Sequence, residues 1–101
     1  MNFVYITTNH SKNVLYTGVT NSLEKRIIQH YQNRGNIKSF AGKYSCYNLL
    51  HYEQFHYISD AIRREKLIKN RSRQWKEALI SIENPEWVFL NEMVFGVWLP
   101  F

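Results

Sequence analysis

Two short runs dense in β-branched and aromatic residues, Asn2–Thr8 and Val14–Thr20, are separated only by the polar stretch Asn9-His10-Ser11-Lys12-Asn13. Branched and ring-bearing side chains suit a pleated surface, while Asn and Ser are turn formers that bond back to nearby backbone. The pattern predicts an antiparallel hairpin. A later run, Tyr47–His56, has the same composition and reads as a third strand of the same small sheet.

Helical signals fill the intervals. Asn21 is placed to cap a helix, with Glu24 as its capping-box partner, and Leu23, Ile27 and Tyr31 form an apolar row that ends near Gly35. Arg26 and His30 form a parallel row one position away, so both project from one edge of that helix. Asn36–Cys46, with Gly42 and several small residues, reads as a loop. Ser59 is placed to cap a helix that Asn70-Arg71 breaks. Ser72 is placed to start another, running to about Ile82 with Trp75, Leu79 and Ile82 inward, and Asn84-Pro85 ends it. The order β-β-α-β-α-α predicts an α+β fold: a three-stranded antiparallel sheet flanked by helices.

A chain of 101 residues holds one core and not two. Residues 1–92 are expected to form that domain. The oily stretch 93–101 is too short to cross a bilayer, and reads as a tail packed on the domain or at a homodimer contact.

Thirteen Lys and Arg against eight Asp and Glu give a net charge of +5, which favours an anionic partner such as nucleic acid. Arg63, Arg64, Lys66, Lys69, Arg71, Arg73 and Lys76 crowd one segment, as either a solvated helical surface or a nucleic-acid face. Cys46 is the single cysteine, which excludes an internal disulfide and disfavours a zinc cluster. No basic leader followed by an apolar run opens the sequence, and no stretch approaches the roughly 18 apolar residues of a membrane span. The expectation is a cytoplasmic protein without membrane contact.

One acidic residue stands where an oily one is expected. Ala61, Ile62 and Ile68 mark an apolar stripe in Asp60–Asn70, and Glu65 lies on it, four residues after Ala61 and three before Ile68. Burying even a neutral polar group without a partner costs roughly 2–7 kcal/mol, so an inward carboxylate needs a cation. An Arg or Lys partner is the structural alternative to a metal. Tyr5, Tyr16, Arg26 and His30 are upstream groups able to share a pocket with it. Together they are the equipment of a metal-assisted phosphodiesterase.

In order along the chain, Phe3-Val4-Tyr5, Tyr16-Thr17-Gly18, Arg26…His30, the helix Ala61–Lys69 around Glu65, and Trp75-Lys76…Asn84-Pro85-Glu86-Trp87 resemble the GIY-YIG endonuclease domain. The likeness is to its small single-domain bacterial members, which are related to the nuclease domain of the excision-repair enzyme. Phe3 stands where the first motif has glycine, and Val19 where the excision-repair relatives have lysine. Glu77 stands where the family has a late asparagine, for which Asn70 and Asn84 are the other candidates.

The resemblance implies a metal-dependent endonuclease hydrolysing phosphodiester bonds in DNA, in repair or processing of DNA structures. It implies one Mg²⁺ or Mn²⁺ held by Glu65, with catalytic roles for Tyr5, Tyr16, Arg26, His30 and Glu65. Arg26 suits a phosphate oxygen because its guanidinium is a charged planar fork. His30, or either tyrosine, suits the proton from water. Lys66, Lys69, Arg71 and Arg73 are placed to hold the nucleic-acid backbone. Glu53, alternating with His51 on the third strand, is the rival metal ligand. Trp75 and Trp87 sit at helical and near-helical apolar positions and read as core. The alternatives are a nucleic-acid-binding module of the same fold without strong catalysis, and a protein-interaction module using the basic helix and oily tail.

Overall fold

The hairpin forms as the sequence predicts, with strand β1 (Asn2–Thr8) antiparallel to β2 (Leu15–Thr20). Strand β3 (Asn48–Phe55) pairs antiparallel with the other side of β1, giving the order β2-β1-β3. The computed structural model describes residues 1–95. β1, hydrogen-bonded on both sides, is buried from Val4 to Thr8. Because side chains alternate along a strand, β1 contributes to the packing on both faces of the sheet.

On one face Val4 and Ile6 join Leu50, Ala61, Ile68 and Ile80. This brings helices α3 (Ile58–Lys69) and α4 (Arg73–Glu83) onto the sheet. On the other face Tyr5 and Leu49 pack with Leu23 and Ile27 of helix α1 (Leu23–Gln32), flanked by Leu90 and Val94. Val94 belongs to the short helix α5 (Asn91–Phe95), so the start of the expected tail docks on this face, while residues 96–101 lie outside the described residues.

Four details differ from the sequence expectation. Ser22, not Asn21, caps α1: the Thr20 hydroxyl donates to the Ser22 carbonyl and accepts from its N–H, which turns the chain one residue later. Ser59 does not cap α3, which starts after Tyr57 with no side-chain cap. The expected loop contains a one-turn helix, α2 (Phe40–Lys43), whose cap Ser39 accepts from Gly42 N. Gly42 is required there, since a Cβ would stand 2.7 Å from the Asn33 and Asn36 carbonyl oxygens. In α4, Ile80 is the buried residue and Ile82 is 76% exposed, the two being about 200° apart around the helix axis.

The free edge of β3 is closed by side-chain amides, which masks an otherwise sticky strand. Asn91 Oδ1 accepts from Leu49 N at 2.8 Å, its Nδ2 donates to Tyr47 O, and Leu90 N donates to Leu49 O. Asn84 Nδ2 donates to the carbonyls of Leu50 and Val88.

Glu53 links β3 to α3. Arg64 Nε donates to Oε1 at 2.8 Å and Nη2 to Oε2 at 3.1 Å, with His51 Nε2 2.8 Å from Oε2. Burial by itself would raise this carboxyl, but the bonds from His51 and Arg64 outweigh it and hold its pKa near about 2, against an ordinary 4.5. The folded value is the lower one, so the stabilisation is complete above pH 4.5 and is lost as pH falls toward about 2. Glu53→Gln is expected to cost roughly 2 kcal/mol at neutral pH, since Arg64 loses its partner in a half-buried setting. Urea titrations should also show a flatter loss of stability in acid.

Candidate active site

Tyr5 lies at the centre of the sheet, directly opposite Gly18. That glycine makes room for the phenol: a Cβ on it would lie 2.6 Å from Tyr5 Cζ and 2.9 Å from Cε1, and closer still to the hydroxyl. Tyr16, opposite Thr7, is therefore the diagonal neighbour of Tyr5 on the same face, with ring centroids 6.2 Å apart. From α1, His30 reaches down so that its Nε2 is 2.8 Å from the Tyr5 hydroxyl, and its ring meets Tyr16 edge-on at 5.2 Å. Arg26, one turn earlier, lines the same cleft as Tyr16 and His30.

Burial pushes the Tyr5 hydroxyl well above the ordinary phenol range. The neighbouring Tyr16 and the Glu65 carboxylate add to that rise, and Arg26 opposes it. Three residues from three elements thus act on one oxygen, which also meets His30 Nε2. His30 is lowered to about 4 by burial first and then by Arg26, so its imidazole is neutral at physiological pH. A neutral phenol has an O–H to donate and a neutral imidazole one bare nitrogen to accept it.

The His30 shift carries a stability prediction. The folded value is depressed from 6.5 to about 4, so the unfolded chain binds the extra proton within that interval and stability falls as pH drops through it. His30→Gln should remove this dependence, read as melting temperatures between pH 7 and pH 4, a window above most of the Glu53 transition.

Glu65 comes from α3, which packs against β1 and β2, and its carboxylate acts on the Tyr5 hydroxyl as the smallest of the influences on it. It stands between Ala61 and Ile68, both fully buried, and its own side chain is only 15% exposed. Ile62, the third member of the expected stripe, is 38% exposed. The cation nearest Glu65 is Lys69, whose Nζ lies 3.3 Å from Oε2 with its side chain half exposed. The rival ligand Glu53 is fully engaged by Arg64 and His51. Among the described residues no three His, Cys, Asp or Glu side chains cluster as a metal site. The donor set at Glu65 fits an ion that takes few protein oxygens and keeps its own waters, as Mg²⁺ does.

The basic residues divide. Lys66, Lys69 and Arg71 are exposed, with Arg71 over the Trp75 ring at 5.5 Å. Arg73 is engaged: it bonds Glu77 and donates to the carbonyls of Lys12 and Asn13, tying α4 to the hairpin loop. Trp75 and Trp87 pack against the core as expected. Phe3 lies edge-on to Tyr52, and Val19 packs on the opposite face of the sheet from Tyr5. Of the asparagine candidates, Asn84 is buried in backbone bonds and Asn70 caps α3, donating to Lys66 O.

Sequence reading missed Phe40. Its ring stacks on Tyr16 with centroids 6.2 Å apart and planes 25° apart, and closes one side of the cleft. The signal was present as an aromatic pair four residues apart, Phe40 and Tyr44, following a helix-capping serine.

A family model for the GIY-YIG catalytic domain matches residues 1–78. The chain belongs to the GIY-YIG family. Its relatives within that family include a UPF0213 protein of Halobacterium salinarum, 37% identical over 78% of this chain and 99% of its own length. A UPF0213 protein of Syntrophus aciditrophicus is 37% identical over 84% of this chain and 94% of its own length. One from Staphylococcus saprophyticus is 42% identical over 66% and 79%. The solution NMR structure of a UPF0213 protein from Bacillus halodurans matches with a TM-score of 0.54 and 27% identity, covering 92% of this chain and 97% of that one. GIY-YIG membership implies nuclease-type activity on nucleic acid. No helix among the described residues is long and apolar enough to cross a membrane.

Proposed function

We propose that this GIY-YIG protein is a divalent-metal-dependent endonuclease that hydrolyses phosphodiester bonds in DNA, in repair or processing of DNA structures. The observation that supports this most is the meeting of Tyr5, Tyr16, Arg26 and His30 from β1, β2 and α1 at one cleft, with the inward-leaning Glu65 of α3 acting on the Tyr5 hydroxyl through its charge. Glu65 would hold Mg²⁺ or Mn²⁺, which when bound supplies charge stabilisation for the phosphoryl oxygens and an acidified water.

The chain's own residues then divide the work. Arg26, on the wall of the cleft, is the donor fork for a phosphate oxygen. Tyr16 is partly exposed in that cleft and, as its phenolate, would take a proton from the attacking water, with Arg26 on the same cleft offsetting the phenolate charge. Tyr5 is fully buried, bonded to His30 and resistant to ionisation, so its role is to fix His30 and the floor of the site. Lys66, Lys69 and Arg71 hold the strand backbone, which makes binding salt-sensitive, with a smaller share for the engaged Arg73.

Labelled single-stranded, duplex, flap and branched DNAs, incubated with Mg²⁺ or EDTA, test this reading. Wild type should cut at least one substrate only with metal. Tyr16→Phe should lower the rate by roughly 10²–10⁴-fold, as for loss of a general base. Tyr5→Phe should cost less. DNA retention without metal-dependent cutting of any substrate would instead assign the protein a binding role.

A further inference from the structure

We propose that the cleft beside Tyr16 is a nucleobase pocket that takes the base flanking the scissile phosphate, with Phe40 as its stacking face and Gln29 and Asn33 as its edge readers. This deepens the nuclease reading above and rests on it for the position of the phosphate.

The cleft holds about 190 Å³ and is lined by Tyr16, Arg26, Gln29, Asn33, Ser39 and Phe40 among others. Phe40 is 51% exposed on the wall of this cleft. It is nevertheless held in place: Ser39 caps its helix, and its ring lies against Tyr44 at 4.9 Å with planes 54° apart and against Tyr16 at 6.2 Å, contacts that leave about half of the residue open to solvent. A fixed, solvent-facing ring offers a stacking surface with little ordering cost, and every base has a face to lay on it.

The polar wall suits a base rather than a lipid or a peptide side chain. Gln29 and Asn33 sit four residues apart, at the exposed edge and the end of α1. Among the described residues neither side-chain amide has a hydrogen-bond partner. Asn and Gln amides offer a donor and an acceptor side by side, the arrangement that pairs with a base edge. Lys43, 5.3 Å over the Tyr44 ring, and Arg26 put positive charge on either side for the adjoining phosphates. Because a base inside a duplex cannot lay its face on Phe40, the pocket requires a base that is unpaired or swung out of its stack.

Binding in EDTA separates this proposal from the nuclease reading. The probes are short labelled oligothymidylate, oligodeoxyadenylate, oligodeoxycytidylate and an abasic sugar-phosphate strand of equal length, followed by fluorescence anisotropy. Phe40→Ala should weaken oligothymidylate binding roughly tenfold, within the range of one lost base stack, and leave abasic-strand binding within about twofold. Gln29→Ala, with an unchanged melting temperature, should shift the preference among the three bases. Equal weakening of base-bearing and abasic strands by Phe40→Ala, or no weakening of either, overturns the pocket. Unchanged base preference in both Gln29→Ala and Asn33→Ala overturns the edge-reading role. If the wild-type protein cuts nothing while the Phe40-dependent base effect persists, the nuclease reading fails and the pocket stands.

Discussion

Glu65→Gln is expected to lower metal-dependent cleavage by at least about 10²–10³-fold, the scale seen when one charge-stabilising group is removed from a preorganised site. The substitution keeps the size and the hydrogen-bonding reach of the side chain but removes its charge. In the wild type that charge is 15% exposed, between the buried Ala61 and Ile68, and close enough to raise the Tyr5 hydroxyl. Among the described residues its ion-pair partner is Lys69, which is half exposed, so the pair contributes little to stability and can open without a large penalty. The variant should therefore melt near the wild-type temperature. It should also lose Mn²⁺ binding by water-proton relaxation, a readout independent of turnover. A Glu65→Gln protein that binds Mn²⁺ as the wild type does would show that the carboxylate serves structure alone.

Gly18→Ala carries the largest expected effect on the fold. The added methyl would sit within 3 Å of three Tyr5 atoms, and Tyr5 cannot yield: it is fully buried and its hydroxyl is bonded to His30 at 2.8 Å. Overpacking a core of this kind costs typically 1–3 kcal/mol. For a domain of this size that corresponds to a melting temperature lower by on the order of 10 °C. The His30–Tyr5 hydrogen bond should break with it. Gly18→Ala/Tyr5→Phe should recover little, because the clash includes ring carbons as well as the hydroxyl. A variant as stable as wild type would contradict the close approach of β2 to Tyr5.

Much of this was legible in the sequence because it depended on spacing alone. Two strand-like runs with a polar interval define the hairpin, and the i, i+4 step places Arg26 and His30 on one edge of α1. The position of Glu65 relative to Ala61 and Ile68 marks it as inward-leaning without any knowledge of the partner elements. What was not legible depended on register or on side-chain geometry between elements. That Tyr5 faces Gly18, and Tyr16 lies diagonal to it, follows only from the pairing of Phe3 with Thr20 and Tyr5 with Gly18. Ile82 looked inward and is exposed because Ile80, not the Trp75–Leu79 row extended, meets the core. Ser22 displaced Asn21 as the cap through a hydroxyl contact from Thr20 that no capping pattern contains. Phe40 escaped notice because a single aromatic pair four residues apart, with Tyr44, is too short a pattern to mark one helical turn.

The most direct test of the proposed nuclease is the nicking of supercoiled plasmid by the purified chain, in Mg²⁺ and in EDTA, beside Glu65→Gln and Tyr16→Phe proteins of matched melting temperature. Open-circular product is expected from the wild type with Mg²⁺ alone, and none above background from either variant. Equal nicking by wild type and both variants, or nicking that persists in EDTA, would contradict a metal-dependent site built on Glu65 and Tyr16.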